Sequence, residues 1–411
     1  MNLYIFNKSG KAAVFGIGTY IRELKETLGH SDINVCIVNL YSQESQIKFE
    51  QINSIRYWYF PAPILEQRSI DNQRQMELYY RNIVFLLQLH IDDKIDLIFH
   101  LNYMDSKPLA DALKTVFNCK IVTVVHYLDW CFSLSGNVSR FSEILTSEEI
   151  DSNDEFKKSI FESCRKEKDF FEIVDHIICL SENTRQILQN DYKIMPNKTN
   201  VIYNGLTDNH FVSDKLMLQR KYHIPNIPII LFVGRLDDIK GLKYALQSFK
   251  IVLKTQYCHF IIAGNGEFDI YMKECEDIWT HITWTGLISK EKLYDLYSIA
   301  DIGIMTSFHE QCSYVAIEMM MHGVPLIAST STGLKEMVED GVTGLHIPVI
   351  EHPDKVEIDT DLLAEKMLYL LQHPDERKRM GVNARKRYET VYSSEIFRQN
   401  MLHFYESLFV E

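Results

Sequence analysis

Short apolar runs rich in β-branched and aromatic residues alternate along the chain with stretches whose apolar positions recur every three to four residues. Such alternation is the sequence form of βαβ units, so it predicts an α/β fold built on parallel sheets. In the first half the pattern predicts strands near Asn2–Phe6, Asn34–Asn39, Leu97–Phe99, Lys120–Val125, His176–Leu180 and Asn200–Tyr203. Helices are expected at Gly18–Leu28, Gln73–His90 and Glu155–Val174. The series restarts at Pro228, with strands at Ile229–Val233, His259–Ala263, Ile282–Thr285, Ile302–Met305, Pro325–Ala328 and Gly344–Ile347. The helices expected between them are Leu242–Lys254, Lys290–Ile299, Tyr314–His322 and Asp361–Gln372.

A chain of 411 residues exceeds what one core usually organises, which agrees with two such series. The boundaries read as residues 1–205 for a first parallel-sheet α/β domain, 206–226 for a polar, proline-bearing linker and 227–390 for a second, similar domain. A final helix lies in 391–411, with Phe397, Met401, Phe404 and Leu408 as a stripe suited to docking.

Composition narrows the function classes. Hydrophobic residues at 46% and charged ones at 24% describe a globular chain, so disorder is set aside. A formal charge of −13 argues against wrapping nucleic acid. The apolar runs Ile83–Leu87 and Ile227–Val233 are far short of the ~20 residues that span a bilayer. The start MNLYIFNKSG lacks a basic segment followed by an apolar secretion core, so a cytoplasmic protein is expected. Eight scattered cysteines without a C-x-x-C pair read as reduced thiols, not as a zinc site or a disulfide framework.

Ligands of open parallel sheets sit beyond the carboxyl ends of strands, and several polar residues fall there. Ile229–Val233 runs into GRLDDIKG, which places Arg235 and Lys240 in one glycine-flanked loop. That pair suits a diphosphate, although a cationic loop paired with Asp237 and Asp238 explains it equally well. Gly264 and Gly266 after the next strand allow either a close ligand approach or a plain turn. Gly16 and Gly18 open a helix after the first strand, but Ile21 breaks the dehydrogenase fingerprint. His126, with Asp129 beyond it, ends one strand, while His100 and then Asn102 end another.

The stretch HEQCSYVAIEMMM holds a helix apolar almost all round, with Ser313 as expected N-cap, Tyr314 as first residue and Glu318 inside. Glu310 stands in the loop before it, where the helix dipole is positive. A carboxylate carried into such an interior needs a partner, either a ligand hydroxyl or a buried cation. Asp359-Thr360-Asp361 reads as a helix cap despite its metal-diphosphate spelling. The basic residues Arg377, Lys378, Arg379, Arg385, Lys386 and Arg387 could touch anionic lipid at a membrane periphery, yet Glu376 and Glu389 among them favour a solvated face.

A strand followed by G-R-(x4)-K-G, a strand followed by G-x-G, then E-(x7)-E and a G-x-x-E tail at Gly333 and Glu336 resembles the donor half of family 4 retaining glycosyltransferases of GT-B architecture. The resemblance is strong over Ile229–Ile347. It continues more weakly before that, in the early glycine loop, His126, Ser181-Glu182-Asn183 and Asn204-Gly205. It implies two Rossmann-like domains facing across a cleft, with the terminal helix crossing back to the first. By the same resemblance Arg235 and Lys240 would hold a diphosphate, Glu310 the donor sugar and Glu318 the ribose. Gly16 and Gly18 would approach the phosphate, and His126 would stand near the sugar. Gln311, Cys312 and Ser313 replace the family's usual glycine, which shifts phosphate contact to backbone N–H groups near Ser313 and Tyr314.

The expected activity is sugar transfer with retention, independent of metal and without a cofactor. The donor would be a nucleoside-diphosphate sugar, UDP ahead of GDP, and the acceptor a glycan, a lipid-linked glycan, or a peptide or protein. A nucleotide-sugar epimerase on the same scaffold, or a silent nucleotide-sugar-binding partner, is the alternative.

Overall fold

Strands covered on both faces must be apolar throughout, and this is why the central ones read as unbroken hydrophobic runs. The computed structural model describes residues 1–9, 16–29, 31–63, 69–147, 154–210 and 214–409. They form two units. Unit 1 is Met1–Asp129, Glu149–Gly205 and Ser394–Glu411, and unit 2 is Trp130–Glu148 with Leu206–Ser393.

Unit 1 contains β1 (Asn2–Lys8), β2 (Asn34–Ser42), β3 (Lys48–Ile52), β4 (Ile55–Pro61), β5 (Leu97–Leu101), β6 (Lys120–Val125), β7 (His176–Cys179) and β8 (Thr199–Val201). Their spatial order is β3-β4-β2-β1-β5-β6-β7-β8. All neighbours are parallel except the β3–β4 hairpin. That hairpin escapes sequence reading because β3 lies at the sheet edge and is largely exposed, so its alternation of apolar and polar residues is blurred. The order of strands reverses between β1 and β5, which makes their carboxyl ends the switch point of this sheet.

Unit 2 contains β9 (Ile229–Val233), β10 (His259–Ala263), β11 (Ile282–Gly286), β12 (Ile302–Met305), β13 (Leu326–Ser329) and β14 (Gly344–Ile347), in the order β11-β10-β9-β12-β13-β14. The strands are all parallel, in the 3-2-1-4-5-6 order of a Rossmann sheet, with the switch point between β9 and β12. Helices Leu242–Leu253 and Thr360–Gln372 bury Leu246, Phe249, Leu363 and Met367 in the core that also holds Ile230, Phe260 and Ile304. Asp359 caps the second of these through Asp361 N–H and Leu362 N–H, each at 3.0 Å, as the capping reading expects.

Two boundaries differ from the sequence expectation. Residues 206–226 are not a bare linker, because they carry the helix Lys215–Lys221, whose Lys215 pairs with Asp301 at 2.6 Å. Asp301 also accepts the Ile229 N–H at 2.8 Å and faces Arg377 at 3.4 Å, so one carboxylate ties this helix to β9. Residues 130–148, assigned by sequence to the first domain, pack with unit 2. There Gly136, at φ +74°, lies where a Cβ would come within 2.3 Å of the Phe308 oxygen, and Asn137 Nδ2 donates to His352 O at 2.8 Å.

The last helix, Ser394–Ser407, belongs to unit 1. Its Phe397, Met401 and Phe404 are buried, Phe397 lies edge-on to Tyr20, and the Tyr405 hydroxyl meets His100 Nδ1 at 2.8 Å. No described helix is long and apolar enough to cross a membrane.

Candidate functional site

The switch point of unit 2 is assembled from the loops after β9 and β12. The first loop, Gly234 to Leu236, is laid backbone to backbone along residues 263–267. Gly234 N–H donates to Ala263 O and Leu236 N–H to Asn265 O, both at 3.0 Å. A Cβ on Gly264 would fall 1.7 Å from Gly234 O, and one on Gly266 would fall 2.5 Å from Leu236 O. Both glycines have positive φ, at +153° and +156°. The G-x-G signal is thus explained within the protein: it makes room for the loop that carries Arg235. Arg235 itself is half-exposed and pairs with Asp237 at 3.1 Å.

Lys240 ends a short helical turn, Asp238–Lys240, which is fastened to the segment after β12. Gly241, at φ +64°, lies where a Cβ would approach Thr306 O to 2.3 Å, and the Thr306 hydroxyl is 3.0 Å from Lys240 O and 2.9 Å from Gly241 O. Phe308 N–H donates to Ile239 O at 2.8 Å. These bonds bring the Lys240 ammonium onto the Glu310 carboxylate as a close ion pair. Glu310 also accepts from Ser307 Oγ at 3.0 Å, while its N–H donates to Thr332 Oγ1 at 3.0 Å and its carbonyl accepts from Gly333 N–H at 2.8 Å. A Cβ on Gly333 would fall 1.7 Å from Gln311 O, so this glycine is required by the loop holding Glu310.

The second acid of E-(x7)-E is nearly enclosed, with 1% of its side chain exposed. Glu318 pairs with Lys290, itself half-exposed, and accepts from the Tyr297 hydroxyl at 2.8 Å. Burial and this carboxylate push the Tyr297 hydroxyl far above its ordinary pKa, so it remains a donor. Neither partner was singled out from sequence. Their spacing, residues 290 and 297 on one helix, puts both on the same face and was the available signal. Ser313 is the N-cap residue of Tyr314–Met321, as the sequence expectation has it, but its hydroxyl makes no capping bond; its N–H is 3.2 Å from Met337 Sδ. The positive end of that helix therefore lacks a side-chain cap from Ser313, three residues from Glu310.

Gly16, Gly18 and His126 belong to unit 1. Gly16 and Gly18 open the helix Gly16–Leu28, and a Cβ on Gly16 would meet nothing within 4 Å among the described residues, which leave out residues 10–15 of the glycine loop. His126 Nε2 lies 3.1 Å from Asn102 Oδ1. Asn102 Nδ2 donates to Phe6 O at 3.0 Å, which fixes its oxygen as the acceptor and leaves the His126 proton on Nε2 and a lone pair on Nδ1. Burial, with His100 nearby, holds His126 down to about 3, so the ring is neutral near pH 7.

The basic segment is largely internal in its pairing. Arg377 faces Asp301, Arg379 pairs with Glu376 at 2.6 Å, Arg385 with Asp208 and with Glu389 at 2.7 Å, and Arg387 with Glu339. These arginines are engaged within the protein, which accounts for the clustering without a lipid surface.

Two doubly wound parallel sheets, with a lysine–carboxylate pair at the second switch point, define an α/β protein of Rossmann-like type. Residues 217–387 match the family model "Glycosyl transferases group 1" and residues 14–210 match "Glycosyltransferase Family 4". The chain belongs to these glycosyltransferases, with a GT-B fold. It is 21% identical to sucrose-phosphate synthase from Thermosynechococcus elongatus, with a TM-score of 0.75 over 99% of both chains. It is 15% identical to Anabaena Alr3699/HepE, solved in complex with UDP, with a TM-score of 0.72 over 99% of this chain and 100% of that one. Among curated proteins it is 28% identical to alpha-D-kanosaminyltransferase of Streptomyces kanamyceticus over 41% of this chain and 42% of that one. It is 23% identical to spore coat protein SA of Bacillus subtilis over 57% and 65%. The matched region thus spans about half the length of these curated relatives.

Proposed function

We propose that the chain is a retaining, metal-independent glycosyltransferase, moving a sugar from a nucleoside-diphosphate sugar, UDP ahead of GDP, to an acceptor hydroxyl in the cytoplasm. The observation that carries this reading is the Lys240–Glu310 pair at the switch point of unit 2, in the loop ahead of a helix N-terminus that Ser313 does not cap. A diphosphate arriving there offers Lys240 a doubly charged partner, so the ammonium leaves Glu310 and frees that carboxylate to accept a hydrogen bond from the donor sugar. Arg235, exposed and paired with Asp237 at 3.1 Å, can swing to the same diphosphate. Glu318 would exchange Lys290 for the ribose hydroxyls in the same manner.

In the transfer step the bond between the anomeric carbon and the diphosphate oxygen breaks while the acceptor oxygen bonds to the same face of that carbon. The acceptor proton passes to the departing diphosphate. Lys240, Arg235 and the helix N-terminus neutralise the charge that grows there, a role in which one donor is worth about 3–4 kcal/mol. The supporting comparison is with HepE, which binds UDP and UDP-glucose.

The test is a thermal-shift panel of UDP, GDP and ADP with their glucose esters, run with and without EDTA. A ligand at about one hundred times its Kd stabilises by about 2.7 kcal/mol, a rise of about 5–11 °C for a domain of this size. UDP and UDP-sugar should raise Tm equally in EDTA. A panel in which no nucleoside diphosphate moves Tm sinks the reading.

A further inference from the structure

Unit 1 has a switch point of its own, and its chemistry has the same ingredients. β1 ends at Lys8 and the loop after β5 carries Asp105; the strands are adjacent, and the two side chains form a close ion pair. The ammonium is sunk, with 11% of the Lys8 side chain exposed, whereas Asp105 is 71% exposed. Two tyrosine rings cover the cation, Tyr41 at 5.5 Å and Tyr103 at 5.2 Å from Nζ. The Tyr103 hydroxyl is 3.2 Å from both Asn7 Oδ1 and Lys8 O, which fixes that ring against the end of β1.

Tyr41 is held at a cost. Its φ is +52°, a left-handed conformation unfavourable for a side chain of this size, at the point where the β2–β4 register shifts. Its hydroxyl bonds Tyr80 at 2.7 Å and its N–H donates to the Tyr79 hydroxyl at 3.1 Å. Surroundings that over-determine a strained residue are a mark of functional sites. A purely structural ion pair would need neither a caged lysine nor a strained ring above it.

We propose that this cup binds the acceptor, and that the acceptor is a saccharide bearing an oxyanion, a phosphate or a carboxylate. The oxyanion displaces the Asp105 carboxylate, which can turn into water at little cost, and pairs with Lys8. The sugar ring lies against the partly exposed Tyr41, while the buried Tyr103 backs the cation. Burial draws the Lys8 pKa down and Asp105 draws it back up, so a displacing anion takes over the role of keeping the lysine charged. This deepens the transferase reading and rests on it for the word acceptor, but the binding site stands on unit 1 alone.

The test is calorimetry on the full chain with glucose, glucose 6-phosphate, glucuronate and inorganic phosphate, each also titrated into Lys8→Met and Asp105→Asn. Glucose 6-phosphate and glucuronate should bind at least tenfold tighter than glucose, and glucose 6-phosphate at least tenfold tighter than inorganic phosphate. Lys8→Met should remove the advantage of the charged sugars. Asp105→Asn, which keeps the lysine and deletes its competitor, should tighten them three- to tenfold. Equal binding of charged and neutral sugars, phosphate alone binding as well as its sugar ester, or weaker binding in Asp105→Asn each overturns the proposal. UDP titrated into the same samples separates the two readings. UDP binding without charged-sugar preference ends this proposal alone, and charged-sugar preference without UDP binding ends the transferase reading.

Discussion

Lys240–Glu310 and Lys8–Asp105 occupy corresponding places in two sheets, each pairing a lysine at or just beyond the carboxyl end of the first strand with an acid in the loop after the strand across the switch point, β12 or β5. What is immobilised differs. In unit 2 it is the carboxylate: Glu310 is 14% exposed and fixed through Ser307, Thr332 and Gly333. In unit 1 it is the ammonium, caged by rings beneath an exposed Asp105. A site that must present an acid to a neutral sugar hydroxyl fixes the acid and lets the lysine follow the phosphate. One that must present a cation fixes the cation and keeps the acid displaceable.

The comparison breaks most visibly at Lys240. Lys240→Met removes the charge that would stabilise the leaving diphosphate, and turnover of UDP-sugar should drop by about a hundred- to a thousandfold. Stability to denaturant should fall by no more than roughly 1–2 kcal/mol for the unpaired Glu310, which keeps its Ser307 bond, because the turn is held by the Thr306 hydroxyl on Lys240 O and Gly241 O and by Phe308 N–H on Ile239 O, contacts that the substitution spares. Turnover within threefold of the wild type would remove Lys240 from the chemistry and leave the pair structural.

A smaller effect is expected at the second acid. Lys290→Met strands the Glu318 carboxylate with Tyr297 as its remaining partner. Losing the partner of a fully buried charge costs about 3–5 kcal/mol. Lys290 is half-exposed, so solvent screening reduces this to roughly 1–2 kcal/mol, read as a shift in denaturation midpoint. UDP affinity should hold or improve, since the lysine has to leave before ribose can reach Glu318. A tenfold weaker UDP would show that Lys290 itself touches the nucleotide.

Strands buried on both faces were legible because burial alone dictates their composition: Ile229–Val233 and His259–Ala263 were readable to the residue. Motif residues were legible as positions but not as contacts. Arg235, Lys240, Glu310 and Glu318 were found by spacing, yet the lysine that each acid chooses depends on strand order, which spacing does not carry. Gly264 and Gly266 were visible as glycines, while the backbone they accommodate at Gly234 and Leu236 is a tertiary fact. The unit 1 cup was not anticipated at all. Lys8 trails an ordinary strand, and nothing in the letters around Tyr41 announces a positive φ.

The last and smallest contrast is in acid response. Burial holds His100 and His126 in unit 1 down to about 3, and His309 and His322 in unit 2 down to about 4, from an ordinary 6.5. Each folded histidine stays neutral while its unfolded counterpart takes up a proton, so stability is full above 6.5 and falls with pH, by about 0.7 kcal/mol per histidine from pH 7 to 6. The lowered His176 in unit 1, and His210 and His259 in unit 2, act in the same direction. Unit 1 alone carries a strong counterweight among these groups. Burial raises Glu167 from 4.5 to about 7 despite its bonds to the Tyr192 hydroxyl and the Asp129 N–H. A raised carboxyl binds its proton more tightly when folded, so its contribution is present at low pH and is lost as pH rises through 7, about 1 kcal/mol between pH 6 and 7. Hydrogen exchange of β5 and β6 amides should therefore change little between pH 7 and 6 once corrected for intrinsic rate, while β9 and β12 lose protection. Glu167→Gln should make unit 1 decline like unit 2. If β5 and β6 stay flat in that variant, the histidines are not what sets the pH dependence of unit 1.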